Sequence, residues 1–382
     1  MRLSERVQNI AQSEIRSMSM LCHEKNGLNM AQGICDLEVP QVVQEGAKEA
    51  IANGQNIYTS AYGNLRLRKA IAKKQNDFYD QKIKEENVLV SSGATGAFYA
   101  MAMSLLNEGD EVIIFEPYYG YHVSTLESLG CKIKFIKTVP PSYEIDFEDL
   151  KSQITEDTKA LLICNPSNPS GKVYAKEELE KISRLMNEND MLLFSDEMYE
   201  HFVYDDLDFV SALSIDGLKE RTVVISGFSK IYSITGWRLG YAISAPEVIE
   251  AASAINDLVY VCPAAPLQHG VLKGLEELPR AYYEGVAKEH QAKRDRFIKA
   301  LNEVGLKAEY IKGAYYVLVD ISSLAGKDDK EKVISLLEKT GIAAVPARAF
   351  YHDSKDINLA RFCFSKTDAE IDLAIESLQK LV

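Results

Sequence analysis

Residues 226–240 read SGFSKIYSITGWRLG. They continue the apolar run TVVI (222–225), and Lys230 stands where that run must end, walled by Ser, Gly and aromatic residues. A lysine ammonium belongs in water. Partial burial disfavours its charged form and leaves a nucleophilic amine able to form an imine. The same stretch decides the fold, because it is one of a series. NVLVSSG (87–93), EVIIFEP (111–117), KIKFIKT (132–138), ALLICNP (160–166), MLLFSDE (191–197), TVVISGF (222–228) and LGYAIS (239–244) are all short apolar runs. Between several of them lie helical patterns such as TGAFYAMAMSLLN (95–107) and KEELEKISRLMNEND (176–190). Strands apolar on both faces, alternating with helices, predict a doubly wound α/β domain. Its seven-stranded sheet is mostly parallel, and ligands sit at the carboxyl ends of the strands.

The groups that follow each strand support that placement. After NVLVSS, Gly93-Ala94-Thr95-Gly96 opens a helix, where free backbone N–H groups and the helix dipole favour an anion. The same glycines also suit a tight turn that holds no ligand. After EVIIFEP, Tyr118-Tyr119-Gly120-Tyr121 offers a stacking surface or an interface patch. After ALLIC, Asn165-Pro166-Ser167-Asn168-Pro169-Ser170-Gly171 is a turn able to hold an amide in place. After MLLFS, Asp196 is a carboxylate that needs a cationic partner if buried, and Arg238 follows Lys230 by eight residues. Together these provide an imine-forming amine, a carboxylate, an anion nest with an arginine, an aromatic plate and an amide, all at one sheet edge. Pyridoxal phosphate (PLP) has a matching partner for each.

The remainder of the chain narrows the class. Its net charge of −13 gives it no basic face for nucleic acid or an anionic membrane. No apolar run approaches the ~20 residues of a membrane helix, and the first residues lack a secretory pattern, so the expected location is the cytoplasm. The six cysteines are scattered without a CxxC pair, as reduced thiols would be, and no metal-ligand pattern is present. Beyond about residue 300 the pattern changes. LKAEYI (306–311), YYVLVDI (315–321), IAAVPARAF (342–350) and NLARFCFS (358–365) read as shorter strands, with helices at 327–340 and 368–381. We expect a large domain over 41–285, and a small α+β domain formed by 1–40 and 286–382.

GFSKIYSITGWRLG resembles the lysine signature of class I/II aminotransferases of PLP fold type I. AQGICDLEVP, NIYTSAYGNLRLRKAIA, SSGATGAFYA, EPYYGYH, NPSNPSGKVY, SDEMYEHFVYD, GAYYVLVDI and ARFCFS follow in that family's order. The resemblance implies that Lys230 carries the cofactor and shuttles the α-proton, and that Asp196 pairs with the pyridinium nitrogen. Asn168 and Tyr199 would bond the phenolic oxygen, and Tyr119 would stack on the ring. Gly93, Ala94, Thr95 and Arg238 would hold the phosphate. Ser229 or Ser226 would supply the hydroxyl for which the family often has a residue at the position of Gly227. Arg361, with the backbone of Gly33 and with Asn168, would bind the substrate carboxylate.

Tyr58 would reach the phosphate of a neighbouring subunit, which implies a homodimer. The tail VPARAFYHDSKDINLARFCFSK and VYVCPAAPLQHG (259–270), with Tyr260 placed across the dimer, resemble the kynurenine/glutamine/methionine branch. Glutamine, methionine or aromatic donors are therefore expected, passing their amino group to a 2-oxo acid. Arg348 and Lys312 could instead read an acidic side chain, as an aspartate aminotransferase would. A C–S β-lyase using the same residues is a further reading, as is a PLP-binding regulator, which the short leader and negative charge disfavour.

Overall fold

The computed structural model describes residues 13–35, 37–353 and 357–382. The first twelve residues of the expected N-terminal arm, Asp36 of AQGICDLEVP and 354–356 of the tail lie outside the described residues.

A two-residue strand β1 (Leu28–Asn29) precedes the seven that the apolar runs predict. These are β2 (Val88–Ser92), β3 (Glu111–Glu116), β4 (Lys132–Lys137), β5 (Thr158–Cys164), β6 (Leu192–Asp196), β7 (Thr222–Gly227) and β8 (Leu239–Ile243). They form one sheet in the order β2-β8-β7-β6-β5-β3-β4. Only β8 runs antiparallel to its neighbours, β2 and β7. Central strands such as β7 are buried at every position, because helices cover both faces. The helix Gly93–Leu105 is apolar nearly all round, as one packed between the sheet and the helix Pro246–Tyr260 must be. The helix Lys176–Glu188 instead turns only Leu179, Ile182, Ser183 and Met186 inward, on one stripe. Its first-turn Glu178 accepts the Ala175 N–H at 3.1 Å.

The C-terminal part adds β9 (Lys307–Ala308), β10 (Tyr316–Asp320), β11 (Ile342–Ala343), β12 (Val345–Pro346) and β13 (Leu359–Cys363). β12-β13-β10-β9 is an antiparallel sheet whose core, around Val317, Phe362 and Ile371, also takes in Tyr199, Phe202 and Tyr204. Two strands are shorter than expected. LKAEYI pairs only over β9, and IAAVPARAF breaks after Pro346 into a 3₁₀ turn, Ala347–Phe350. Proline has no N–H for a ladder and disrupts continuation.

β1 pairs in parallel with β11, and the Cys363 N–H donates to the Met30 carbonyl at 2.8 Å. These contacts fasten the N-terminal segment to the C-terminal sheet and carry residues 31–35 to the edge of the large sheet.

Candidate active site

A cavity of about 730 Å³ lies where the carboxyl ends of the large sheet face the small one. β7 ends at Gly227 and delivers Lys230 to the cavity wall, where it is half-buried. Lys230 Nζ donates to the Gly33 carbonyl at 2.7 Å. Its pKa is pushed down to about 8, first by burial and then by the nearby Arg361 and Arg238 charges. At physiological pH a meaningful fraction of this amine is neutral.

β6 ends in Asp196, buried, and its Oδ1 accepts the Met198 N–H at 3.1 Å. Its Oδ2 lies 3.0 Å from His122 Nε2. His122 is buried, and its Nδ1 has no partner. Sequence reasoning passed over His122, although it closes the quoted EPYYGYH. The tyrosines before it masked it: Tyr119 stacks on Tyr121 at 5.3 Å and meets His122 edge-on at 5.3 Å.

The turn after β5 holds two amides in different tasks. Asn165 is structural, its Nδ2 donating to the Val210 carbonyl and its Oδ1 accepting the Tyr174 N–H, both at 3.1 Å. Asn168 faces the cavity and accepts from Arg361 Nη1 at 2.9 Å. Arg361, on β13, is buried, and its Nη2 donates to the Ala31 carbonyl at 2.7 Å while its Nε has no partner. Its guanidinium sits 4.2 Å from the centre of the Tyr316 ring. The Tyr316 and Tyr199 hydroxyls are 3.0 Å apart, and burial pushes both well above the ordinary tyrosine range. A Cβ on Gly33 would run into the Tyr316 hydroxyl, so only glycine lets the backbone pass here.

At the other end of the cavity the helix Gly93–Leu105 begins with no side-chain cap, leaving its first N–H groups free for an anion. Ala94, Thr95, Ser229 and Arg238 line the cavity there. Gly93 has φ +75°, and a Cβ on it would strike the Arg238 guanidinium. The geometry separates the two serines that the sequence left open. Ser226 points into a buried network, donating to Glu200 Oε1 at 2.9 Å, whereas Ser229 borders the cavity. Nor could a larger residue replace Gly227 freely, since its Cβ would meet the Gly240 Cα at 2.9 Å and the Leu239 carbonyl at 3.1 Å.

Four sequence candidates lie elsewhere in this single chain. Tyr58 is 80% exposed. The Tyr260 hydroxyl is spent on Ser91, Asn256 and the Ser92 N–H, outside the cavity lining. Arg348 is paired with Asp328 and Asp329, and Lys312 with Asp205. Neither cation lines the cavity. Among the described residues no cluster of His, Cys, Asp or Glu could hold a metal, and no helix is long and apolar enough to cross a membrane.

This constellation fits pyridoxal phosphate. An amine with a depressed pKa would meet its aldehyde, uncapped N–H groups with Arg238 its phosphate, and a buried carboxylate its ring nitrogen. Comparison with known proteins points the same way. Residues 25–378 match the family model of aminotransferase class I and II. An aspartate aminotransferase of Pyrococcus abyssi is 33% identical, covering 100% of this chain and 98% of its own. The mouse kynurenine–oxoglutarate transaminase 3 is 31% identical, over 98% of this chain and 89% of its own. A crystal structure of an Escherichia coli methionine aminotransferase superimposes with a TM-score of 0.95 at 28% identity, covering 99% of each chain. The chain therefore belongs to aminotransferase class I and II, as a pyridoxal-phosphate-dependent transaminase of fold type I near the methionine and kynurenine branch.

Proposed function

We propose that the amino donor is glutamine, methionine or an aromatic amino acid. Supporting this are apolar and aromatic residues that line the same cavity as Arg361, namely Ile15, Met20, Ile34 and Tyr121. Arg348 and Lys312, the cations that would have favoured aspartate, are paired with carboxylates elsewhere.

In this reading the substrate α-carboxylate binds Arg361 bidentately, using the unpartnered Nε and one Nη. Asn168 Oδ1 and the Ala31 carbonyl hold the guanidinium in plane for it. Pyridoxal phosphate, when bound, supplies the electron sink that makes the α-proton acidic. Asp196, fixed by His122 and the Met198 N–H, would pair with the ring nitrogen. Asn168 and Tyr199 would bond the phenolic oxygen, and Tyr119 would cover one ring face. Gly93, Ala94, Thr95, Ser229 and Arg238 would hold the phosphate. Lys230, whose Nζ rests on the Gly33 carbonyl, would take the substrate α-proton and return it to the cofactor carbon that receives the amino group.

The working unit is a cytoplasmic homodimer with domains at 41–285 and at 1–40 plus 286–382. Ile57 and Tyr58 (both 80% exposed) and Leu258 (78%) are large apolar side chains left in solvent by the single chain, as an interface with a second copy would use, and across it Tyr58 and Tyr260 would act.

The observation that carries the reading is that Lys230 and the half-satisfied Arg361 line one cavity with these apolar residues. The test is the visible spectrum of the cofactor-loaded protein, titrated with single amino acids. Bleaching by glutamine, methionine or an aromatic amino acid supports it. Bleaching by aspartate and glutamate alone refutes the donor assignment.

A further inference from the structure

Asn256 and Tyr260 stand four residues apart on the helix Pro246–Tyr260, so their side chains share one face. Asn256 is buried, and every hydrogen-bonding position of its amide is used. Its Nδ2 donates to the Val90 carbonyl at 3.0 Å and to the Ala61 carbonyl at 3.2 Å. Its Oδ1 accepts from Ser91 Oγ at 3.3 Å and from the Tyr260 hydroxyl. That hydroxyl also meets Ser91 Oγ, and it accepts the Ser92 N–H at 3.2 Å.

Val90, Ser91 and Ser92 are the last three residues of β2, and Gly93 follows at once with the turn assigned above to the phosphate. The helix that starts there has no side-chain cap of its own, so the direction of its first N–H groups is inherited from whatever fixes the end of the strand. The two hydroxyls also lie against the first helical turn. A Cβ on Gly96 would meet Ser91 Oγ at 2.9 Å and the Tyr260 hydroxyl at 3.4 Å. On its other side the strand end is tied to the segment that carries Tyr58. The Val90 N–H donates to the Tyr62 carbonyl at 2.9 Å, and Asn256 reaches Ala61 of the same segment. N–H groups stabilise an anion best when they are aimed before it arrives, and this network aims them.

We infer that Asn256 and Tyr260 are positioning residues for the cofactor phosphate, acting through Ser91 and Ser92 and touching no ligand themselves. The inference rests on the phosphate lying at Gly93, Ala94 and Thr95. It gives the Tyr260 hydroxyl a task within its own chain, separate from what its ring presents to a second copy.

The test compares two ligands of the full-length chain freed of cofactor: pyridoxal phosphate, and pyridoxal, which keeps the ring and aldehyde but has no phosphate. Tyr260→Phe removes one neutral hydrogen-bonding group, so affinity for pyridoxal phosphate falls about 3- to 10-fold while that for pyridoxal changes by less than about twofold. Asn256→Ala shifts the balance the same way, but it strands two buried carbonyls, so Tyr260→Phe decides if that variant does not fold. Ser253→Ala is the control. Its hydroxyl donates to the Glu250 carbonyl within the same helix, and its loss leaves both affinities within about twofold. In the holoenzyme the phosphorus resonance of the bound cofactor moves in Tyr260→Phe and stays in place in Ser253→Ala. Equal weakening of both ligands in a folded Tyr260→Phe protein, or of neither, overturns the proposal. Weakened binding of the amino-acid donor with cofactor affinity intact also overturns it and places Tyr260 on substrate. A wild type that binds pyridoxal as tightly as pyridoxal phosphate defeats the phosphate assignment itself, and this proposal with it.

Discussion

Replacing Arg361 by glutamine tests the electrostatics of the site without touching the lysine itself. Lys230 falls from the ordinary 10.5 of a lysine to about 8, a difference of about 3 kcal/mol against its ammonium form. Burial contributes most, and the Arg361 and Arg238 charges add to it. At pH 7 the wild-type amine is then about 10% neutral, roughly 300-fold more than a surface lysine. The assay is modification of the cofactor-free protein by an amine-directed reagent across pH 6–10.5, with the Lys230 peptide quantified by mass spectrometry. Wild type should show a midpoint near the folded pKa. Arg361→Gln should move it upward, though not to 10.5, because burial persists.

The same shift has a sign in stability. The unfolded chain binds a proton at Lys230 between about pH 8 and 10.5 where the folded one does not. This residue's contribution therefore rises with pH through that window and is least favourable below it. A wild-type labelling midpoint above pH 10 would refute the reasoning, as would a downward move in Arg361→Gln.

Three other outcomes are expected. Ser229→Ala should weaken pyridoxal phosphate binding by about tenfold, one hydrogen bond to a charged group. Ser226→Ala should instead lower the denaturation midpoint and leave cofactor affinity within about threefold, and equilibrium dialysis with the cofactor separates the two. Gly33→Ala should cost about 1–3 kcal/mol in urea unfolding through its clash with the Tyr316 hydroxyl, and Tyr316→Phe in the same chain should recover part of it. Lys74→Met should destabilise by about 3–5 kcal/mol, because it strands Glu200. Burial acts to raise the Glu200 pKa, yet Lys74 and His201 hold it down to about 2, so a charge is left in the core. Adding Glu200→Gln should restore most of that loss; no restoration in denaturant unfolding would show that the pair is not the cause.

What the sequence determined by itself follows from local chemistry. A strand covered on both faces must be continuously apolar, so seven runs between 87 and 245 announced the large sheet before any contact was known. A polar or ionisable group directly after such a run must lie at a strand end, which placed Asp196, Asn168 and Lys230 along one edge. The small sheet was less legible, because strands as short as Lys307–Ala308 take their pairing from neighbours and not from their own pattern.

Tertiary structure alone decided which polar groups meet. The Lys230–Gly33 and Arg361–Asn168 contacts join residues 197 and 193 positions apart. Ser226 and Ser229 differ in role only because one faces a buried network and the other the cavity. Arg348 and Lys312 could not be known to be paired, nor His122 to support Asp196, from a linear pattern. Spacing within a helix or strand reports which face a side chain occupies. What stands opposite that face is set by the packing of distant segments, and in this protein that packing assigns each charge its partner.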